Sequence, residues 1–354
     1  MKILLVAPQS KDTILGTIGC YCKKALITLG YNIEIFDFRR SRYLKSPLGS
    51  FLKKGIKKFS PSLPRRTPLI NFLERERMNK SLLTVAKEYR PDILFVLMGD
   101  TIFPETLDKI KKSGITTVNW FHDSVLAPIR KDFVQEITPY YDYFFIIDSE
   151  DVLNHIKIGA GHVNTVPLAC APEVHKSVNL SREEKKKYGS DVCFIGTVKF
   201  NRKDVLTQLS DFDLGIWGYW LEKTPKLKRH YRGQHVFGEE AVRIYNASKI
   251  ILDIHLSYGG GNKPFNVTPR AFEVPASGAF LLADENPLLY DLYEKDKEIV
   301  CYKDEKELKE LIKYYLNHPK ERELIAQRGQ KRAYKEHTYK KRLKEIFSII
   351  EKNG

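Results

Sequence analysis

Two side chains of opposite charge, Arg270 and Glu273, lie three residues apart in the segment NVTPRAFEVPASGAFLLAD, residues 266–284. Residues at this spacing in a helix lie on the same face, so the guanidinium and the carboxylate point the same way. In a cleft, an arginine suits a diphosphate, and a carboxylate accepts hydrogen bonds from a ribose diol. The alternative is a structural ion pair, which would gain little if it were buried. The spacing therefore indicates either a nucleotide site or a local salt bridge.

A glycine-containing loop and three cations, Lys199, Arg202 and Lys203, follow the predicted strand 192–195. The helix dipole disfavours cations at the start of a helix unless an anion lies between them, and a phosphate would resolve that conflict. The alternative is a basic helix face in solvent. We therefore predict a nucleotide-binding set made of Gly196, Thr197, Lys199, Arg202 and, from the loop before Arg270, Asn266.

His122 and Asp123 come directly after the predicted strand 116–121. A carboxylate at the end of such a strand is placed to take a proton from an incoming hydroxyl group. The alternative is a helix N-cap, a role that Asp123 or Ser124 would fill well. We predict Asp123 as a catalytic base, with His122 beside it.

Gly16 and Gly19 follow the first predicted strand and precede a predicted helix at 20–29. Glycines at the start of a helix let a ligand approach the backbone N–H groups, so Gly16 is a candidate binding residue. The spacing is not G-x-G-x-x-G, so the dinucleotide fingerprint is absent and a nicotinamide dehydrogenase is disfavoured. An ordinary strand-to-helix loop is the alternative.

Short apolar runs of strand length alternate with amphipathic stretches along almost the whole chain. This pattern indicates parallel sheets covered by helices on both faces. The rhythm breaks once, at the polar segment 171–190, and then restarts. We therefore predict an α/β protein of two doubly wound, Rossmann-like domains. The predicted strands are 3–7, 33–36, 93–97, 116–121, 143–147 and 163–167 in the first domain, and 192–195, 214–217, 250–255, 279–283 and 299–302 in the second.

The break in rhythm sets the predicted boundaries. They are an N-terminal domain at 1–172, a linker at 173–190, a second domain at 191–330 and a C-terminal helix at 331–354 that packs back on the first domain. Periodicity predicts a helical tail over almost all of 305–352. Ligands of open parallel sheets bind beyond the carboxyl ends of the strands, so two facing domains would line one cleft with the candidate residues.

The formal net charge of +15 favours polyanionic partners such as phosphates, nucleic acid or an anionic membrane face. Five cysteines, an odd number without a metal-ligand pattern or a signal peptide, favour structural thiols in a reducing cytoplasm. No apolar run approaches the ~20 residues of a membrane span. We therefore predict a cytoplasmic protein.

Residues 39–68 form a basic insertion, in which 39–66 contains ten Lys or Arg. No acidic residue occurs between 38 and 73, and FLKKGIKKF mixes apolar and basic residues at helical spacing. Such a helix is typical of contact with an anionic membrane or another polyanion. The insertion is predicted to hold an anionic acceptor or to make a peripheral membrane contact, with a solvated surface loop as the alternative.

The second half of the chain resembles the donor domain of the GT-B glycosyltransferases, and the CgeB-like group in particular. The resemblance is carried, within 190–285, by the blocks FIGTVKFNR, LGIWGYW, YRGQHVFGEEAVRIYNASKIILDIH and NVTPRAFEVPASGAFLLAD. RAFE is also similar to the donor site of phage DNA β-glucosyltransferases, where an Arg-x-x-Glu holds the nucleotide. The resemblance implies a GT-B fold with two facing domains. It also implies nucleotide binding by Arg270, Glu273, Arg202 and, less directly, Lys199, and a general base at Asp123.

The implied activity is that of a hexosyltransferase that moves a sugar from a nucleoside-diphosphate sugar to a hydroxyl acceptor. A UDP-sugar is the favoured donor. Cationic side chains would take the place of a metal, and no further cofactor is implied. One glutamate of the pattern found in many retaining members is replaced by Phe265, so inversion and retention both stay open. A DNA-modifying glucosyltransferase and a non-catalytic nucleotide-sugar-binding protein are the alternatives. The acceptor in the main hypothesis is a glycan, a protein or DNA.

Overall fold

The computed structural model describes residues 1–38, 68–123, 131–147, 149, 152–219, 224–256 and 267–353. Residues 39–67 of the basic insertion predicted at 39–68 lie outside the described residues, and so do Ser124, Phe265 and Asn266. The chain forms two compact units, Met1–Thr165 and Val166–Gly354.

The first unit contains a six-stranded parallel sheet in the order β2-β1-β3-β4-β5-β6. The strand order reverses between β1 and β3. Its strands are β1 (Lys2–Val6), β2 (Asn32–Phe36), β3 (Ile93–Leu97), β4 (Thr116–Phe121), β5 (Tyr143–Ile146) and β6 (His162–Thr165). Its helices are α1 (Ile14–Thr28), α2 (Pro68–Tyr89), α3 (Pro104–Lys112), α4 (Lys131–Ile137) and α5 (Val152–Lys157).

The second unit contains a parallel sheet in the order β12-β11-β10-β7-β8-β9. The strand order reverses between β7 and β10. Its strands are β7 (Val192–Ile195), β8 (Leu214–Trp217), β9 (Tyr231–Gly233), β10 (Ile250–Asp253), β11 (Leu281–Asp284) and β12 (Val300–Tyr302). Its helices are α6 (Arg182–Tyr188), α7 (Asn201–Gln208), α8 (Gly238–Ala247), α9 (Arg270–Ala276), α10 (Pro287–Leu292), α11 (Glu305–Asn317), α12 (Pro319–Glu336) and α13 (Tyr339–Asn353).

The central strands are buried along their whole length because helices cover both faces of each sheet. All residues of β3, β7, β8 and β10 are buried, as expected for parallel strands with continuous apolar sequences. The prediction of two doubly wound Rossmann-like sheets followed by a helical tail is confirmed. Segment 173–190, predicted as a linker, lies in the second unit and contains α6.

The predicted start of α1 was wrong, because the helix begins at Ile14 with Thr13 as its N-cap. Gly16 is therefore inside the first turn, where its N–H donates to the Thr13 hydroxyl. A β-carbon at Gly16 would lie 2.1 Å from the carbonyl oxygen of Ser10. The glycine thus allows the loop after β1 to pack directly against the helix, and a contact of Gly16 with a ligand stays a prediction.

Strand β9 was missing from the prediction. It is three residues long, lies at the edge of the sheet and exposes Tyr231 and Arg232. An edge strand with a solvated face carries no apolar run, so the pattern that marks the buried strands does not mark it. Within the residues that the structure describes, no helix has the length and apolar character needed to cross a membrane.

Candidate functional site

The strand order of the second sheet reverses between β7 and β10, because the chain adds strands on one side of β7 and then on the other. Ligands of open α/β sheets bind at such a switch point, beyond the carboxyl ends of the strands. The two strands pair through Val192 and Cys193, the first two residues of β7. The last two residues of β7 extend beyond this ladder. Side chains that bridge the carboxyl ends of β7 and β10 therefore determine the shape of the site.

Arg270, the first residue of α9, bridges these two strand ends. Its Nε and Nη2 atoms donate to Oδ1 of Asp253 at 2.9 and 2.8 Å, and its Nη1 donates to the carbonyl oxygen of Ile195 at 2.8 Å. Asp253 is 0% exposed and also accepts a hydrogen bond from the Thr268 hydroxyl at 2.6 Å. Burial raises the pKa of the Asp253 carboxyl, but the positive charges of Arg270 and His255 and the hydrogen bonds from Thr268 and Arg270 together outweigh burial and hold that pKa below its ordinary value. The ion pair is therefore fully charged at neutral pH.

Arg202 makes a second connection across the same point. Its Nε donates to the carbonyl oxygen of Ile254 at 2.7 Å, and its Nη1 lies 3.4 Å from that of Thr197. These carbonyl groups resolve the conflict between the cation and the dipole of α7 without a phosphate. Both guanidinium groups also lie over the ring of Phe194, at 5.4 Å for Arg270 and 5.5 Å for Arg202.

The loop after β7 approaches its neighbours closely. A β-carbon at Gly196 would lie 2.9 Å from the Phe194 ring and 3.2 Å from Nη1 of Arg270, so this position favours glycine. Thr197 and Lys199 follow and are partly exposed. The predicted residues Gly196, Thr197, Lys199, Arg202 and Arg270 therefore meet at one end of the sheet.

Glu273 lies one helical turn after Arg270 but has different partners. Its Oε2 is 3.4 Å from the Tyr245 hydroxyl, and its Oε1 is 3.8 Å from Nε2 of His175. Nδ1 of His175 accepts a hydrogen bond from the N–H of Ala171 at 3.0 Å, which leaves the imidazole proton on Nε2. Burial lowers the pKa of His175 to about 3, so this contact joins a carboxylate to a neutral ring.

The carboxyl group of Glu273 titrates close to neutral pH. Its side chain is 12% exposed. Burial raises its pKa to about 7, although the charge of Arg270 and the hydroxyl of Tyr245 oppose the rise. The direct ion pair that the spacing offered as an alternative is replaced by the pair of Arg270 with Asp253.

Aromatic rings follow β8 and β9 at the same end of the sheet. His235 stacks on Phe237 with 4.5 Å between the ring centres, and Tyr219 lies 5.9 Å from His235. Burial, and then the nearby charges of Arg270 and Arg202, lower the pKa of His235 to about 4. A neutral His235 ring, stacked on Phe237 and tilted against Tyr219, therefore lies near the two arginines.

In the first unit, His122 and Asp123 directly follow β4, as predicted. Both ring nitrogens of His122 are shielded from solvent and have no hydrogen-bond partner in the described part of the chain. Burial lowers the pKa of His122 to about 3, and the ring meets Trp120 edge-on with 4.7 Å between centres. Asp123 is partly exposed. The catalytic roles of both residues stay predictions.

The polar residues that the sequence analysis missed are Asp253, His255 and Asp284 at strand ends, His175 and Tyr245 beside Glu273, and His235 in the loop after β9. The first three follow apolar runs, and the rule that singled out His122 and Asp123 would have found them. The contacts of His175 and Tyr245 depend on how distant segments pack. Among the described residues, no three His, Cys, Asp or Glu side chains converge as a metal ion would require.

Comparison with known proteins supports this view of the second unit. Residues 202–348 match a family model described as Glycosyl transferase-like. The matched region includes Arg202, Arg270 and Glu273. Spore protein CgeB of Bacillus subtilis (strain 168) is 24% identical over an alignment of 264 residues that covers 70% of this chain and 78% of that protein.

Solved structures share the fold over nearly the whole chain. Sucrose-phosphate synthase of Thermosynechococcus elongatus has a TM-score of 0.69 at 12% identity, covering 99% of this chain and 98% of that one. HepE of Anabaena, solved with UDP-glucose, has a TM-score of 0.63 at 13% identity, covering 99% and 100%. An α-glucosyltransferase solved with UDP and a 13-mer DNA has a TM-score of 0.63 at 14% identity, covering 99% of each chain.

These matches confirm the predicted class of enzyme, a glycosyltransferase with the GT-B fold and a likeness to CgeB.

The pair of Arg270 and Asp253 gives a stability prediction. Asp253→Asn should lower the free energy of unfolding by about 3–5 kcal/mol, because it leaves a guanidinium buried without its countercharge. Urea denaturation followed by circular dichroism measures the change. Asp108→Asn is the matched control, since Asp108 pairs with Lys112 at the surface and should contribute less than about 1 kcal/mol. Equal effects of the two substitutions would contradict the role given to the buried pair.

Proposed function

We propose that the protein transfers a sugar from a UDP-sugar to a hydroxyl acceptor, and that the nucleotide binds at the carboxyl end of the second sheet. The observation that carries this proposal is the placement of Glu273, a carboxyl group held by neutral contacts beside the buried pair of Arg270 and Asp253. HepE of Anabaena, which has the same fold, was solved with UDP-glucose.

Glu273 is suited to bind the ribose. Its ionised carboxylate accepts hydrogen bonds from two neighbouring hydroxyl groups, a geometry that matches a ribose diol. Tyr245 and His175 are neutral, so they orient the carboxylate without neutralising it. The rings of Tyr219, His235 and Phe237 offer a surface on which a base would lie.

The diphosphate fits the loop after β7. Gly196 brings the backbone close to the strand ends, and Lys199 is partly exposed at this loop. Arg270 is paired with the Asp253 carboxylate, whereas Arg202 donates to the carbonyl oxygens of Ile254 and Thr197, which leave its positive charge at this end of the sheet. The field of this fixed charge would stabilise the charge that develops on the leaving diphosphate. In this proposal the cations take the role that a metal ion has elsewhere.

In the proposed reaction, the oxygen of the acceptor hydroxyl forms a bond to the anomeric carbon while the bond from that carbon to the diphosphate breaks. Asp123 takes the proton of the acceptor hydroxyl, and the nucleoside diphosphate leaves with the bonding electrons. His122 is neutral at physiological pH, so it would act by hydrogen bonding rather than by charge.

The titration of Glu273 gives a testable pH dependence. UDP affinity of the wild type should fall as the pH is lowered through about 7, because protonation removes the anionic acceptor of the ribose hydroxyls. Glu273→Gln should weaken UDP binding by about tenfold at pH 8 and lose this part of the pH profile. Isothermal titration calorimetry measures both effects.

UDP itself takes up a proton in this range, but it does so equally with both proteins, so the difference between them isolates Glu273. Glu310→Gln, an exposed substitution on α11, is the control and should bind like the wild type. Identical pH profiles for wild type and Glu273→Gln would remove Glu273 from the ribose site.

Asp123 gives a second prediction, on turnover. Asp123→Asn should leave UDP affinity unchanged and slow sugar transfer roughly 100-fold or more, since it removes the base but not the nucleotide site. Transfer from radiolabelled UDP-glucose to an acceptor pool, with Asp108→Asn as the surface control, measures the rate. Wild-type turnover in Asp123→Asn would exclude this residue as the base. UDP binding by the wild type with no transfer to any acceptor would favour a non-catalytic nucleotide-sugar-binding protein.

A DNA acceptor is the second candidate, favoured by the net charge of +15 and by the fold shared with an α-glucosyltransferase solved with DNA. DNA retention on filters should then be strong at low salt and fall steeply as salt is raised, because bound counterions are released. Absence of DNA retention at low salt would end this candidate and leave other hydroxyl acceptors.

A further inference from the structure

His255, two residues after β10, forms a close pair with Asp284, the last residue of β11. Its Nδ1 lies 2.5 Å from Oδ1 of Asp284, and its backbone N–H donates to the two carboxylate oxygens at 3.1 and 3.0 Å. The residue is only 4% exposed. The carboxylate therefore fixes both the orientation of the ring and the proton on Nδ1.

The other ring nitrogen of His255 has no such partner. Nε2 is shielded from solvent and makes no hydrogen bond with any described residue. Because Nδ1 faces Asp284, the geometry of the ring directs Nε2 away from β11. A buried polar atom without a partner is costly, and a group that supplies a hydrogen bond there is favoured.

The charges around His255 come from several elements. Burial opposes protonation of the ring, but the carboxylates of Asp284 and Asp253 outweigh burial, and the pKa of His255 lies above its ordinary value. Arg270 of α9 acts in the opposite direction. Burial raises the pKa of the Tyr302 phenol on β12 well above its ordinary value, so this neighbour of the two carboxylates is neutral at physiological pH. His255 is thus suited to carry a positive charge that an anion would complement.

Hydrogen bonds place His255 beside the loop after β7. The side-chain amide of Asn201 donates to the carbonyl oxygen of His255 at 2.8 Å, and Arg202 donates to that of Ile254 at 2.7 Å. Both donors belong to the first turn of α7, which follows the loop of Gly196. His255 therefore lies where the strand order reverses between β7 and β10, which is where the diphosphate is proposed to bind.

We propose that His255, oriented by Asp284, binds a phosphate group of the nucleoside diphosphate by donating a hydrogen bond from Nε2 of the protonated ring. This inference rests on the proposed function and assigns a further residue to the same donor site. Since Nε2 is shielded from bulk water, its contact with a phosphate oxygen would be little weakened by solvent.

The test uses UDP, uridine and inorganic pyrophosphate as separate probes in calorimetry at pH 7. His255→Asn keeps an amide donor near the position of Nδ1 and removes both Nε2 and the charge. The affinity for UDP and for pyrophosphate should fall by about tenfold, as expected for the loss of one charge-assisted hydrogen bond. The affinity for uridine should stay within about twofold of the wild-type value. His230→Asn is the matched control, because His230 is also buried but lies before β9, at the opposite end of the sheet. It should leave the binding of all three probes unchanged.

Asp284→Asn is the second variant. It keeps the imidazole ring of His255 and its Nε2 atom. Loss of the carboxylate should lower the pKa of His255, so the fall in UDP affinity on the alkaline side should move to lower pH. In His255→Asn this alkaline fall should be absent. Thermal melting of each variant with and without UDP confirms that the folded protein is compared.

Equal weakening of UDP and uridine by His255→Asn would show a purely structural role and overturn the inference. So would unchanged binding of all three probes. If Glu273→Gln weakens UDP while His255→Asn does not, the inference fails and the proposed function stands. If the wild type binds neither UDP nor pyrophosphate, the proposed donor site fails and this inference with it.

Discussion

A buried ion pair between Arg270 and Asp253 connects the carboxyl ends of β7 and β10, the two strands between which the strand order of the second sheet reverses. Removing both charges from water is costly, so neither is stable there without the other. The guanidinium satisfies the carboxylate of β10 and the last carbonyl group of β7 together. The position of the guanidinium favours glycine at position 196 and places Arg270 as the first residue of α9.

The position of Glu273 is a consequence of that pair. Because the helix start is fixed by Arg270, the next turn carries Glu273 past Asp253 to the neutral groups of Tyr245 and His175. A carboxyl group in such surroundings has a raised pKa and keeps lone pairs for hydroxyl donors. One strand further along, His255 and Asp284 repeat the combination of a buried basic side chain and a carboxylate. The end of the sheet therefore combines cationic side chains with carboxylates, which suits a ligand with both phosphate and hydroxyl groups.

Much of this arrangement is visible in the sequence, because parallel strands buried on both faces leave continuous apolar runs such as ILFVL and VCFI. The spacing of Arg270 and Glu273 correctly places both on one short helix. Their partners are less visible. Arg270 reaches the last carbonyl group of β7 only because β10 adjoins β7 in the sheet, and strand order is a long-range property. Edge strand β9 and the first turn of α1 were missed for local reasons, since one lacks apolar residues and the other contains glycines that pack against their own loop.

The central claim is that the carboxyl end of the second sheet, organised by Arg270 and Asp253, holds the donor nucleotide. A crystal structure of the complex with UDP tests it most directly. The account predicts ribose hydroxyl groups within hydrogen-bonding distance of Glu273 and the diphosphate over the ends of β7 and β10. UDP bound elsewhere, with Glu273 still facing only Tyr245 and His175, would contradict it.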